Sequence, residues 1–301
     1  MSARILLRLL LLIQAMGALA VAGAAWSWLK LGSPLVALAL GLGAAVLVRL
    51  LIFSNNFILS ARSASVTPPA FRLGTLAWLR MFGEEFAASM LQTSWCAPRA
   101  APRQVIYPDS RHQPVLLLHG YGCNSGYWDQ LAPLLDAARI SYATLDLEPI
   151  TGDIDDYVPL VQRAADRLLA ASGAATLSIV AHSMGGLAAR AWLRKHGSQL
   201  VARVITLGTP HYGTALASFG VGRNAAQMRR EGAWLRELAA GEDSSTRALV
   251  TSIYTHHDNI IAPQTSSLLE GARNIEMGGV GHVALGRNRR VLARVMDELS
   301  T

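Results

Sequence analysis

The most constraining stretch of this chain runs from Leu177 to Gly186, where an apolar run leads into a serine and then into a helix-forming sequence. Its centre reads Ala-His-Ser-Met-Gly, so Ser183 lies between two small residues, Ala181 and Gly185. A serine at a sharp strand-to-helix turn needs small residues at these two positions, because the turn brings neighbouring backbone close. Glycine is the usual first residue, and this chain has the alanine variant. The pentapeptide alone is a weak signal, because chance can supply it.

Apolar runs alternate with helical segments from residue 113 to the C-terminus. Strands are predicted at 114–118, 141–147, 176–181, 201–207, 248–255 and 273–277, and helices at 124–138, 153–171, 184–196 and 286–299. Continuous apolar strands are typical of a parallel sheet covered on both faces. The pattern predicts an α/β fold, a mostly parallel doubly wound sheet with helices on both faces and functional loops at the carboxyl ends of its strands.

Three residues that follow predicted strands form a candidate catalytic set. A serine hydroxyl is a poor nucleophile near neutral pH and needs a histidine to take its proton and a carboxylate to orient that histidine. Ser183, Asp258 and His282 occur in the chain order serine, acid, histidine, each just past a predicted strand. We therefore predict Ser183 as nucleophile, His282 as base and Asp258 as its partner.

Other ionisable side chains are weaker candidates because of their positions. The competing residues are His112, His119, His182, His196, His211, His256, His257, Asp146, Asp243 and Glu276. His119 and His182 belong to the two turns around the serine, and His211 precedes the acid. His256 and His257 adjoin Asp258 too closely in sequence to reach back as the base.

A tetrahedral intermediate carries a negative oxygen, which needs backbone N–H donors. One donor is expected from Met184, the residue after the serine. The second is expected from the glycine-rich turn 119–122, His-Gly-Tyr-Gly, where Tyr121 is the candidate. Tyr121 and Met184 are thus the predicted oxyanion hole.

Taken together, these segments resemble bacterial lipases and carboxylesterases of the α/β-hydrolase superfamily, and the Ala-x-Ser-x-Gly form resembles a small subgroup of those lipases. The segments are 117–122, 181–186, 206–214, 258–259 and 281–282. The resemblance covers residues 113–301 and implies hydrolysis of acyl esters through a serine acyl-enzyme, with no cofactor. Some lipases of this class hold a structural calcium ion, but no carboxylate arrangement in this sequence indicates a metal site. An acyltransferase or thioesterase using the same three residues stays open, as does a non-catalytic hydrolase-like membrane scaffold.

Residues 1–53 read as two apolar spans, each close to the ~20 residues that a helix needs to cross a bilayer. Half of the chain is hydrophobic and the mean hydropathy is +0.30, which favours membrane segments. We expect a two-helix membrane anchor. One alternative is a signal peptide cleaved near Ala20–Ala22, with the second span as anchor. Another is a pair of buried helices in a soluble domain.

The positive residues predict the orientation of this anchor. Arg4 and Arg8 precede the first span, Arg49 lies near the end of the second, and only Lys30 lies between the spans. The positive-inside rule then places both ends in the cytoplasm, with the catalytic domain on the cytoplasmic side of the bacterial inner membrane. The net charge of +7 is scattered and fits a membrane surface or an ordinary basic surface better than nucleic acid.

Two further segments and the two cysteines are interpreted from composition and position. Residues 54–112 are a predicted linker that contains an amphipathic helix at 71–91, lying on the bilayer or on the catalytic domain. Residues 213–247 break the alternation of strands and helices, as either a candidate lid or plain surface helix. Cys96 and Cys123 could form one bridge in an exported domain or remain two thiols in the cytoplasm.

Overall fold

Two long apolar helices, α1 (Ala3–Trp28) and α2 (Pro34–Ala61), form an antiparallel hairpin at the start of the chain. The structure is a computed structural model that describes residues 1–300, so Thr301, the last residue of the predicted catalytic domain, lies outside the described residues. The most apolar 18-residue stretches of α1 and α2 have mean hydropathies of 2.2 and 2.5. Only 17% and 11% of these two stretches are buried inside the protein. By length and composition, both helices could therefore cross a membrane.

Small residues bring the two helices together. Gly41 of α2 packs against Ala18 and Ala22 of α1, where a side chain would not fit. Small residues at such a crossing let helix backbones approach closely, a packing mode common in membrane helices. Further along, the Arg49 Nε–H donates to Gln14 Oε1 over 2.7 Å.

Helix α2 continues to Ala61, two turns beyond the predicted end of the span at residue 53. Its last turns pack on helix α3 (Thr75–Leu91) through a cluster of aromatic rings with centroids 5.1–5.9 Å apart. The rings belong to Phe53, Phe57, Trp78, Phe82 and Phe86. This aromatic cluster connects the hairpin to the rest of the protein.

Helix α3 packs on the catalytic domain with one face, which buries Met81, Glu85 and Ala88, while Leu76 and Leu79 on another face are exposed. It begins four residues later than predicted, because 69–71 form a 3₁₀ turn after Pro68. A π-helical turn (Gln92–Cys96) then continues it into α4 (Ala97–Arg99), in a stretch predicted to be part of a linker. Cys96 and Cys123 are both free thiols.

A seven-stranded sheet forms the centre of the catalytic domain, in the order β1-β3-β2-β4-β5-β6-β7. The strands are β1 (Gln104–Val105), β2 (Val115–Leu118), β3 (Tyr142–Leu145), β4 (Leu177–His182), β5 (Val201–Leu207), β6 (Val250–Thr255) and β7 (Arg273–Met277). All neighbours are parallel except β1, which pairs antiparallel with β3. The mostly parallel sheet confirms the predicted fold class.

Helices cover both faces of this sheet. The helices that follow β2 are α5 (Ala132–Ala137), α6 (Val158–Ser172), α7 (Met184–His196), α8 (Arg223–Gln227), α9 (Ala233–Ala240), α10 (Ser244–Ala248) and α11 (Arg289–Ser300). Successive strand residues point to opposite faces, so Leu116 packs with α6 and α7, whereas Leu117 packs with α5 and α11. Ala88 of α3 belongs to this second cluster, which makes α3 part of the covering layer.

Residues 213–247 form an excursion of short helices between β5 and β6. Leu235 and Leu238 of α9 are buried in the main core, so this part is fixed to the domain. The first part, a 3₁₀ turn at Ala215–Phe219, ends in an apolar tip where Phe219 and Val221 are 70% and 71% exposed. The two parts of the candidate lid therefore differ in exposure at the tip, although Ala217 of the turn is buried in the same core as Leu235 and Leu238.

Candidate active site

Ser183 lies at the turn between β4 and α7 with φ 54° and ψ −125°. A left-handed backbone is strained for any residue with a side chain, by about 1–3 kcal/mol. Two hydrogen bonds hold it: the Ser183 N–H donates to Leu207 O over 2.8 Å, and Thr209 Oγ1 donates to Ser183 O over 2.9 Å. Gly185 lies against the backbone of Leu118, so the small residue two positions later is required by close approach.

Asp258 and His282 form a buried pair. His282 Nδ1 lies 2.7 Å from Asp258 Oδ2, and the other oxygen, Oδ1, accepts N–H bonds from Ile260 at 2.8 Å and Ile261 at 2.7 Å. Burial by itself lowers the pKa of His282, but the Asp258 carboxylate, helped by Glu85, outweighs this and raises the pKa above its usual value. Asp258 therefore stabilises the protonated, positively charged form of the His282 ring.

The loop that carries His282 lies against the serine turn. The His282 N–H donates to Asn259 Oδ1 over 3.1 Å, and His282 O lies 3.2 Å from Nε2 of His182. Burial, and next the neighbouring His282, lowers the pKa of His182 well below its usual value, so His182 is a neutral structural donor. Among the described residues, the Ser183 hydroxyl makes no hydrogen bond to His282. Such contacts are often long without substrate.

The glycine-rich turn after β2 also meets the serine. A Cβ placed on Gly120 would lie 2.9 Å from Ser183 Cβ, so the backbone that leads into Tyr121 runs directly past Ser183. His119 fixes this turn, since its Nε2 accepts the Leu147 N–H over 2.8 Å and its Nδ1 lies 2.8 Å from Gly120 O. Met184 begins α7, where the first N–H groups of a helix have no intrahelical acceptor.

The competing ionisable residues serve elsewhere. His211 contacts Arg190, Thr206 and Ser252 inside the core. His256 Nε2 lies 2.9 Å from Glu276 Oε2. Asp146 accepts the Ser125 N–H, and Asp243 caps α10 by accepting the Thr246 N–H. Within residues 1–300, no group of three or more His, Cys, Asp or Glu side chains could hold a metal ion.

Ser183 opens into a cavity of about 240 Å³. Most of its lining is apolar and comes from the excursion and from the loop after Asp258: Thr214, Leu216, Ala217, Phe219, Gly220, Ala225, Met228, Ile260 and Ile261. Tyr121 lines it too, and its hydroxyl bonds both the N–H and the carbonyl of Val221. Asn56 and Leu59 complete the wall from helix α2. These two residues were not predicted, because no local pattern relates the end of an N-terminal apolar helix to a distant serine.

Known proteins resemble part of this chain. Residues 113–241 match the family model described as alpha/beta hydrolase fold. A triacylglycerol lipase of Burkholderia plantarii is 45% identical over 131 residues, which cover 41% of this chain and 36% of that lipase. A triacylglycerol lipase of Pseudarthrobacter phenanthrenivorans is 45% identical over 53 residues, or 18% of this chain and 16% of the relative. The chain therefore spans about a third or less of the length of these relatives.

Solved structures agree on the fold. Mature Bacillus licheniformis lipase BlEst2 has a TM-score of 0.57 at 17% identity, covering 66% of this chain and 97% of that one. Aspergillus fumigatus lipase B has a TM-score of 0.58 at 21% identity, covering 65% and 54%. The sheet and its covering helices therefore have the α/β-hydrolase fold. The family match starts at residue 113, so helices α1–α4 are outside it, and it ends before Asp258 and His282.

Proposed function

We propose that this α/β-hydrolase is a membrane-anchored serine ester hydrolase that cleaves lipid acyl esters with Ser183, His282 and Asp258. The observation that carries the proposal is the buried Asp258–His282 pair, 2.7 Å apart, on a loop packed against a strained serine that opens into an apolar cavity. The named relatives are triacylglycerol lipases, which agrees with a lipid substrate.

In this proposal His282 Nε2 takes the proton of the Ser183 hydroxyl as Oγ attacks the ester carbonyl. Asp258 holds the ring with its proton on Nδ1 and stabilises the imidazolium that forms. The N–H groups of Tyr121 and Met184 bind the oxyanion. His282 then returns the proton to the leaving alcohol, and water hydrolyses the acyl-enzyme by the same route in reverse.

The cavity favours an acyl chain as the bound group. Its walls are mostly aliphatic, and burying each CH₂ group of a ligand contributes about 0.8 kcal/mol. Because Asn56 and Leu59 lie on α2, the helix that could cross the membrane forms one wall of the binding site. An acyl chain leaving the bilayer along α2 would reach Ser183 without crossing bulk water.

We expect Leu59→Trp to shift substrate preference from long to short acyl chains, because the larger ring fills the cavity. The test uses the full chain in detergent micelles with p-nitrophenyl esters from acetate to palmitate. kcat/KM for the longest ester should fall by about 10–100-fold, while the acetate value stays within about threefold. Ile58→Trp is the matched control, since Ile58 is 55% exposed on the same helix and does not line the cavity.

Equal loss at every chain length in both variants would contradict the assigned cavity. If the wild-type chain hydrolyses no ester in this panel, the proposed function is wrong as stated. Acyl thioesters and an added alcohol acceptor belong in the same panel, since a thioesterase would cleave the first and an acyltransferase would esterify the second.

The hairpin is proposed to span the inner membrane with both ends in the cytoplasm. Arg8 and Arg49 lie at the end of the hairpin that faces the catalytic domain, where Arg8 donates to Pro98 O over 2.9 Å. We expect a fluorescent reporter fused after Thr301 to be active in the cytoplasm and a periplasmic phosphatase fused there to be inactive. An active phosphatase would reverse the orientation, and an intact mass of a shortened chain would show signal-peptide cleavage.

A further inference from the structure

Glu85 of helix α3 has a side chain with no solvent exposure. Charged side chains are almost never fully buried without partners. Its partners here are two backbone N–H groups: Val283 donates to Oε1 over 2.8 Å, and Ala284 donates to Oε2 over 2.7 Å. Both oxygens of one carboxylate are thus committed to one short segment that lies almost two hundred residues away.

That segment is the loop of the candidate base. Val283 and Ala284 directly follow His282, and Gly281 directly precedes it. A Cβ placed on Gly281 would lie 2.5 Å from Cγ and Cδ of Glu85. The carboxylate therefore fills the space beside the loop on both sides of His282.

The charge of Glu85 matters as well as its shape. Burial raises the pKa of Glu85 to about 7, against the two N–H bonds and the nearby His282, which lower it. Asp258 is the other carboxyl group that faces Glu85, and Tyr127 is a buried neutral neighbour. His282 itself faces Asp258, Glu85 and the neutral His182. With a pKa of about 7, Glu85 is partly ionised near neutral pH, and its ionised form is a second negative charge beside the imidazole.

We propose that Glu85 is a positioning residue for catalysis, through which helix α3 holds the His282 loop so that the imidazole meets Asp258 and Ser183. The inference rests on the proposed function. It assigns a catalytic contribution to a helix outside the family match, which begins at residue 113. The next residue of α3, Phe86, packs on Phe53 of α2 at 5.2 Å, so the same helix connects the hairpin to the base.

The test compares Glu85→Gln with Glu84→Gln in the full chain in detergent micelles. Glu84 is the partly exposed neighbour that pairs with Arg80. The glutamine amide has one acceptor oxygen, and its NH₂ group would face the second N–H donor. The His282 loop therefore loses one of its two hydrogen bonds to residue 85. We expect kcat of Glu85→Gln to fall by about 10–100-fold with KM within about twofold, because a small misplacement of the base is costly. Glu84→Gln should match wild type.

The pH profile separates positioning and charge from plain folding. Glu85 raises the pKa of His282, so removing its charge lowers that pKa, and the acidic limb of the kcat/KM profile should move to lower pH. A purely structural residue would change the melting temperature while leaving kcat per folded molecule and the acidic limb unchanged. That result would overturn the proposal.

A second variant covers the case in which Glu85→Gln does not fold. Gly281→Ala crowds the carboxylate from the other side and keeps its charge, so kcat should fall by about tenfold or more with a smaller shift of the acidic limb. Wild-type kcat in Gly281→Ala would then overturn the inference. A wild-type chain that cleaves no ester would instead defeat the proposed function itself, so the two failures are distinguishable.

Discussion

A Ser183→Ala variant is expected to hydrolyse p-nitrophenyl esters at least ~10⁴-fold more slowly than wild type, with little change in folding stability. The substitution removes the only atom of Ser183 that can form the acyl-enzyme. The Ser183 side chain has no hydrogen-bond partner among the described residues, so alanine leaves no buried group unpaired. The residual rate would come from the oxyanion donors and substrate binding alone.

Ser178→Ala is the matched control, because Ser178 is a buried serine on β4, the strand that leads to Ser183, and lies outside the site. A fluorophosphonate probe should label wild type and Ser178→Ala but not Ser183→Ala. Peptide mass spectrometry should find the label on the 183-containing peptide. Labelling and turnover that survive in Ser183→Ala would show that another residue is the nucleophile.

The central part of the sheet was predictable because its strands are mostly apolar runs buried on both faces, as in Leu177–His182. Strand β1 escaped prediction since it has two residues, Gln104 and Val105, in a proline-rich stretch, and only its pairing with β3 defines it. Helix α2 runs past residue 53 for a similar reason. Its extension is stabilised by Phe57 packing on Trp78 and Phe82, contacts that composition does not reveal.

The residues of the candidate site also fall into two groups, those that chain order predicts and those that only tertiary packing brings to the site. Ser183, Asp258 and His282 could be proposed from chain order, because parallel strands bring their carboxyl ends to one edge. Leu59 and Glu85 could not, since each lies on a helix whose relation to the sheet is set by tertiary packing. Glu85 follows another glutamate in a helix that reads as amphipathic, and nothing local marks it as the buried one of the two.

Asp258→Asn is expected to lower kcat by about 10⁴-fold while preserving the fold. The asparagine carbonyl can keep the two N–H bonds from Ile260 and Ile261 that Oδ1 accepts now. Its NH₂ group would then face His282 Nδ1 and force that nitrogen to accept. The ring proton moves to Nε2, the nitrogen that must take the proton from Ser183, so the base is held in the wrong tautomer.

The remaining activity of Asp258→Asn also has a predicted pH dependence. Asp258 raises the pKa of His282, so the acidic limb of the kcat/KM profile should move to lower pH. Asp243→Asn is the control, since Asp243 is a helix N-cap that asparagine replaces well. Because Glu85 also raises the pKa of His282, adding Glu85→Gln to Asp258→Asn should move the limb further in the same direction. A double variant with the same limb as Asp258→Asn would mean that Glu85 acts on the loop by geometry alone.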